Sequence, residues 1–291
     1  SIIEWYILII ISAIFMTITH VVQKKVLFKE HSSEYLTVFC LLTVIALLPF
    51  TSKVNFALSG GTLLLLYVLS LISVTAWLLV IKAYKHMEIS IVEPLRNLSP
   101  LVVLILAFFI LGEKINWVNG IGIALIIGGG YFLEAAVNHA NLLRPFSFFK
   151  GKYMHFIIFS LLIGGVGNII TRIVINKTDV WTALFFLFFF SSINTLIFQF
   201  TRYKGMRDII YVLKTNGWLV LLVVLTTIVS NITYFTALAM PTTFLALVIA
   251  LRRIGSLFTT IIGGEIFHES RLVIKSIACI IMLAGVYFII L

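Results

Sequence analysis

Residues 129–132 read Gly129-Gly130-Tyr131-Phe132 and residues 285–288 read Gly285-Val286-Tyr287-Phe288, so Gly, Tyr and Phe recur at a spacing of 156 positions. The same shift lays Ala83 on Ala239, Leu95 on Leu251, Arg96 on Arg252, Leu101 on Leu257, Ile105 on Ile261 and Glu113 on Glu269. Leu and Ile coincide by chance in any apolar chain; Arg, Glu, Gly and Tyr at one fixed offset do not. The chain reads as a duplication. Nearer the front of each half the spacing falls to 148, which sets Thr19, His20 and Lys24 opposite Gly167, Asn168 and Arg172.

Composition says where the duplicated unit lives. Of 291 residues 61% are hydrophobic and only 11% charged, and mean hydropathy is +1.15, against about 45–50% apolar and about 25% charged in soluble domains. Apolar runs of about 20 residues indicate membrane helices and are too continuous for a membrane β-barrel. Ten such runs can be drawn, at 3–22, 35–50, 61–83, 89–111, 116–135, 153–175, 181–200, 217–239, 242–264 and 271–291. The expected fold is an all-α, multi-pass integral membrane protein, with residues 1–140 as one five-helix repeat, 141–152 as a connecting loop and 153–291 as the second repeat. Five is odd, so the second half enters the membrane from the opposite side. Such inverted repeats are the architecture of secondary transporters, with the substrate near the midplane.

The net charge of +10 calls for no nucleic acid, because most Lys and Arg flank apolar runs, where topology and anionic lipid account for them. The odd-numbered connections hold most of these basic residues, which by the positive-inside rule places both termini outside. Cys40 and Cys279 stand alone inside apolar runs, which supports neither a disulfide nor a metal site. No Walker, HExxH or Ser/His/Asp constellation appears, so neither an enzyme nor a cofactor is expected. Gly120-x-x-x-Ala124-x-x-x-Gly128 and Gly164-Gly165-x-Gly167 fit close helix packing rather than phosphate loops.

The stretch Val92-Glu93-Pro94-Leu95-Arg96-Asn97-Leu98-Ser99-Pro100, its ending Leu111-Gly112-Glu113-Lys114 and the glycine-rich run from Gly120 to Gly130 resemble the EamA-like ten-helix branch of the drug/metabolite transporter superfamily. The second half repeats the tail as Phe267-His268-Glu269 and Ala284-Gly285-Val286, with His268 where the pattern has Gly and a second acid at Glu265. The resemblance implies a carrier of two inverted five-helix repeats around a central cavity, with cytoplasmic termini, opposite to the charge tally. It implies no particular substrate.

Ionisable residues inside the apolar runs are the sharpest functional signal, since an unpaired charge at a helix centre costs roughly 2.5–3.5 kcal/mol even on permissive scales. Glu93 and Arg96 share a helix face at three-residue spacing, whereas Arg252 and Arg253 have no acid in their own run before Glu265. Three arginines against Glu93 point to an anionic or zwitterionic small molecule, held by the forked guanidinium geometry. Asn97, Trp77, Tyr84, Asn231 and Tyr234 are further substrate-binding candidates; His20, Lys82 and Asn168 are candidates for gating or for coupling to a proton or counter-substrate. Pro94 and Pro100 are expected to distort the fourth helix, and Glu113 and Glu269 to hold the turns that follow helices four and nine. A flippase for a phosphate-bearing lipid, which the same arginines could grip, an exporter of drugs or amino acids, and a non-transporting scaffold are the competing readings.

Overall fold

The computed structural model describes residues 2–111, 115–138, 151–241, 243 and 245–291. Among them there is no strand. The helices are α1 (Ile2–Leu27), α2 (Ser32–Leu47), α3 (Gly60–His86), α4 (Ile89–Leu95), α5 (Ser99–Leu111), α6 (Trp117–Asn138), α7 (Met154–Lys177), α8 (Val180–Arg202), α9 (Met206–Ala239), α10 (Leu245–Arg252), α11 (Gly255–Ile266) and α12 (Leu272–Ile290). Helices satisfy every backbone group internally, the requirement for a chain in lipid. Among the described residues eight stretches are long and apolar enough to span a membrane; Trp117–Leu133 is apolar but shorter. The run expected over 242–264 is the pair α10 and α11, so ten spans are reached only by adding those two.

Several helices overrun their apolar segments. Apolarity marks the part of a helix that meets lipid, while the helix itself continues into polar sequence. Thus α1 runs to Leu27, and α9 starts at Met206 instead of near 217, with one non-helical residue, Asn216 (φ −135°), where its polar entry meets its apolar body.

The main interfaces join the two halves, and they come in exchanged pairs. α1 packs on α9 and α7 on α3; α2 packs on α3's other neighbour α8, and α6 on α12. The contacts between α6 and α12 carry the sequence offset atom by atom. A Cβ on Gly285 would lie 2.7 Å from the Gly122 carbonyl oxygen, and one on Gly129 would lie 3.2 Å from the Ala278 carbonyl oxygen. Shifting 122 by 156 gives 278, and shifting 129 gives 285, so each contact is the image of the other. The Ile126–Gly285 and Gly129–Met282 contacts, with approaches of 2.7 and 2.6 Å, exchange in the same way. Gly120, Gly128 and Gly164, in contrast, face open space. Gly165 and Gly167 pack as expected, a Cβ on each meeting Val102 or Ile72 at 3.1 Å, whereas on α6 and α12 the contacting glycines are 122, 129 and 285 rather than 120 and 128, because a helix turns by 100° per residue.

The fourth span is broken at its centre. α4 ends at Leu95, residues 96–98 form a single 3-10 turn, and α5 begins at Ser99. Pro94 and Pro100 bracket that turn as expected, each lacking the N–H that would continue the ladder. The matching place in the second half, between Arg252 and Gly255, is broken with no proline. There Gly255 lies so close to α1 that a Cβ would meet the Ala13 carbonyl oxygen at 3.1 Å.

The ends of the broken helices are tied by charges from elsewhere. The Lys24 ammonium donates to the Tyr84 and Met87 carbonyls at the end of α3, and Arg172 to the Leu238 and Thr243 carbonyls just after α9. Lys24 and Arg172 are equivalents at the 148-residue spacing, and both offer a cation to a helix C-terminus. Glu269 does not hold its own turn. Its carboxylate reaches into the other half and accepts from the Ile89 and Ser90 amides (2.8 and 2.9 Å) and from the Ser90 hydroxyl, at the start of α4. An anion there meets unsatisfied N–H groups and the positive helix end, which a turn between α11 and α12 does not offer. Nearby, the buried Lys275 of α12 forms an ion pair with Glu88. Glu113 lies outside the described residues. Replacing Glu269 with Gln is expected to cost about 1–2 kcal/mol, the difference between a charge-assisted and a neutral bond pair; chemical denaturation in detergent measures it.

Candidate functional site

The broken fourth span delivers Glu93 and Arg96 to the middle of the bundle, and the broken ninth delivers Arg252 and Arg253 from the opposite half. Glu93 is 1% exposed and its carboxylate is fully engaged. Its Oε1 lies 2.9 Å from His20 Nδ1 and 3.3 Å from Arg96 Nη1, and accepts from the Tyr84 hydroxyl. Its Oε2 lies 3.2 Å from Arg253 Nη2. One acid thus serves two arginines, and the pairing crosses between halves.

Arg252 has no acid partner among the described residues. Its Nη2 donates to the Ser230 hydroxyl at 3.2 Å and to Asn231 Oδ1 at 3.5 Å, its guanidinium carbon lies 4.1 Å from the Tyr234 ring centre, and its Nε, buried, has no partner. Three arginines and one carboxylate leave a formal charge of +2, His20 counted neutral. Burying a charge costs several kcal/mol unless it is offset, and the aromatic face of Tyr234 offsets only part of it.

This charged layer forms a wall between two cavities. The larger, about 270 Å³, lies among α1, α2, α3, α7, α8 and α9; the smaller, about 130 Å³, lies toward α4, α10 and α11. His20, Arg96, Asn168, Tyr234, Arg252 and Arg253 line both. Trp77, Tyr84 and Asn231 line the larger cavity only, and Glu93 the smaller. Trp77 stacks on Phe188 at 5.3 Å, giving the larger cavity an aromatic side opposite its cationic one. It is near the lower end of small-molecule sites.

Two residues anticipated for the site lie elsewhere. Lys82 places its ammonium over the Phe156 ring at 5.7 Å, on α7, and lines neither cavity. Asn97 is fully buried behind the wall, where its Oδ1 accepts from Arg253 Nε (3.3 Å) and the Ser256 hydroxyl (2.9 Å); it positions Arg253. The hydroxyls that clamp α1 to its neighbours went unremarked in the sequence: Ser12 with Ser230 (3.0 Å), Thr19 with Thr226 (2.7 Å) and Thr17 with Thr259 (3.0 Å). Ser and Thr in an apolar helix carry no pattern that names their partner.

Residues 3–134 match the EamA-like transporter family. The EamA match covers α1 to most of α6, hence His20, Glu93 and Arg96 but not Arg252 or Arg253. A relative from Sinorhizobium sp., titled an uncharacterized transporter in the cobO 3'region, is 29% identical over 136 residues, 45% of this chain and 96% of its own. A solved crystal structure aligns with 98% of this chain and 95% of its own at a TM-score of 0.62 and 11% identity, a likeness of fold alone. The protein is an integral, multi-pass membrane protein, and both the family its first half is similar to and the relative are named as transporters.

Proposed function

We propose that the protein is a secondary carrier for a small anionic or zwitterionic metabolite, moved by alternating access as residues 1–140 and 153–291 rock about the central cavity. One observation carries the reading: Arg252 stands at the cavity with an unpartnered Nε and no carboxylate, beside an Arg96–Glu93–Arg253 set already one charge in excess. A bound carboxylate, sulfonate or phosphate would neutralise that excess and use the guanidinium forks. Asn231 would meet an ammonium group, Glu93 would orient Arg96, and Trp77 would meet an apolar side chain. A non-transporting scaffold would call for charges that balance among themselves and no cavity, and neither condition holds.

The test is a thermal-shift screen of the detergent-purified protein against anionic, zwitterionic and cationic metabolites, followed by uptake of the hits into proteoliposomes. Ligands bound at 100 times Kd stabilise by about 2.7 kcal/mol, so hits should fall among anions and zwitterions. Stabilisation by cations alone would overturn the substrate class. Scrambling of labelled phospholipid without uptake of any soluble hit would favour the flippase.

A further inference from the structure

His20 sits between a group that can only accept and a group that can only donate. Its Nδ1 lies 2.9 Å from the Glu93 carboxylate and its Nε2 lies 3.3 Å from Arg96 Nη1. A guanidinium has no lone pair to offer, so Nε2 is the acceptor, and the ring is neutral with its proton on Nδ1. The Arg96 side of this contact is overcommitted: the two hydrogens of one Nη1 face His20 Nε2, the Tyr84 hydroxyl at 3.0 Å and Glu93 Oε1 at 3.3 Å. Glu93 does not depend on Arg96, since His20 and Tyr84 both donate to Oε1 and Arg253 to Oε2.

We infer that His20 Nε2 is a proton-binding site and that the proton is the ion coupled to anion transport. This rests on the anion-carrier reading above. The step is simple to balance. A hydronium ion on the side to which the cavity opens gives its proton to the Nε2 lone pair, so that one O–H bond breaks, one N–H bond forms and water is left; the Arg96 Nη1–H···Nε2 hydrogen bond is lost, and no covalent bond of Arg96 or Glu93 changes. Two donors then face each other, so Arg96 leaves His20 and turns toward the cavity it already lines. The layer goes from +2 to +3, and an anion at Arg96 and Arg252 is bound more tightly by that added charge. Linkage makes this reciprocal, so the anion in turn favours the proton. The charged and titratable groups facing His20 are Glu93 from α4, Arg96 from the 3-10 turn after it, Tyr84 from α3, Tyr234 from α9, and Arg252 and Arg253 from the ninth span. Glu93 alone favours the imidazolium, and it lies closest. Asn168, the equivalent of His20 in the other half, cannot take up a proton, so each cycle carries one.

The experiment uses the intact protein in detergent, with sulfate as the anionic probe because its charge is constant between pH 5 and 8. Nitrogen-15 NMR of labelled histidine and arginine, with the His20 signal assigned by its loss in His20→Gln, should show Nδ1 protonated and Nε2 bare at pH 8. As pH falls Nε2 should gain its proton, and the Arg96 signal should move with the same midpoint. Sulfate should bind about tenfold more tightly at pH 5.5 than at pH 8, and the difference should vanish in His20→Gln, since Gln keeps one donor for Glu93 and one acceptor for Arg96. A His20 ring that stays neutral over this range, an Arg96 signal indifferent to it, or a pH dependence of sulfate binding that survives in His20→Gln would each overturn the inference. Sulfate that binds equally at both pH values would overturn the coupling and leave the anion site standing. Sulfate that binds at neither would strike the anion site, with the Arg96 signal still deciding whether His20 moves it.

Discussion

Reconstituted Arg252→Ala protein is expected to take up substrate at about a hundredth of the parent rate or less, with Arg96→Ala close behind. Truncating one side of a buried charged contact costs about 2–5 kcal/mol, and every 1.4 kcal/mol is a factor of ten. Arg252 should feel the larger loss because its groups contribute to no ion pair within the protein: its hydrogen bonds go to Ser230 and Asn231 and its face to Tyr234. For the same reason Arg252→Ala should fold normally, since no buried acid is left uncovered. Arg252→Lys separates charge from geometry. It keeps the cation but loses the fork, and affinity should fall about tenfold with thermal stability unchanged. Uptake by the two Ala variants at the parent rate would assign both arginines a structural role and end the proposed mechanism.

Gly285→Val should be the most destabilising single change outside the charged layer. Its Cβ would meet the Gly122 carbonyl oxygen at 2.7 Å and the Ile126 amide at 2.9 Å, and backbone, unlike a side chain, has nowhere to turn. Overpacking of a fitted interior costs about 1–3 kcal/mol; with backbone on both sides we expect about 3 kcal/mol, seen as a large fall in melting temperature of the purified protein. Gly120→Ala is the control. No atom lies within 4 Å of the added carbon, and Ala is the better helix former by about 1 kcal/mol, so this variant should be no less stable than the parent. Equal stability of the two would mean that α6 and α12 do not meet through these glycines.

The sequence made the repeat legible because its markers, Arg96 and Arg252 or Gly129 and Gly285, are residue types that lipid-facing helices rarely tolerate or need, so their recurrence stands out against Leu and Ile. The break near Arg96 was legible through Pro94 and Pro100. Its partner after Arg252 was not, since no proline marks it and the close approach of Gly255 to Ala13 beside it is a tertiary contact. The charge excess of the site could be counted from composition along the spans. Which arginine shares Glu93 could not, and it is Arg253 that does so, while Arg252 stands free of any acid. Lys82 and Glu269 show the limit most plainly. A long side chain near a span end reaches several ångströms in any direction, and only the packing decides that one rests on Phe156 and the other caps α4.

Asn97 and Arg253 are 156 positions apart and touch, so each is the other's image and the contact lies on the pseudo-two-fold axis. Had the two halves been identical in sequence, exchanging their conformations would return the same molecule upside down, and the two end states would be energetically degenerate. The substitutions about this axis remove that degeneracy. One half offers Glu93 and Asn97 where the other has Ile249 and Arg253, and all of the layer's negative charge belongs to the first half. In such a carrier one well lies deeper before any gradient or cargo is present. If the halves rock as proposed, the protein should rest in one posture, set by the few residues by which its duplicated halves have diverged.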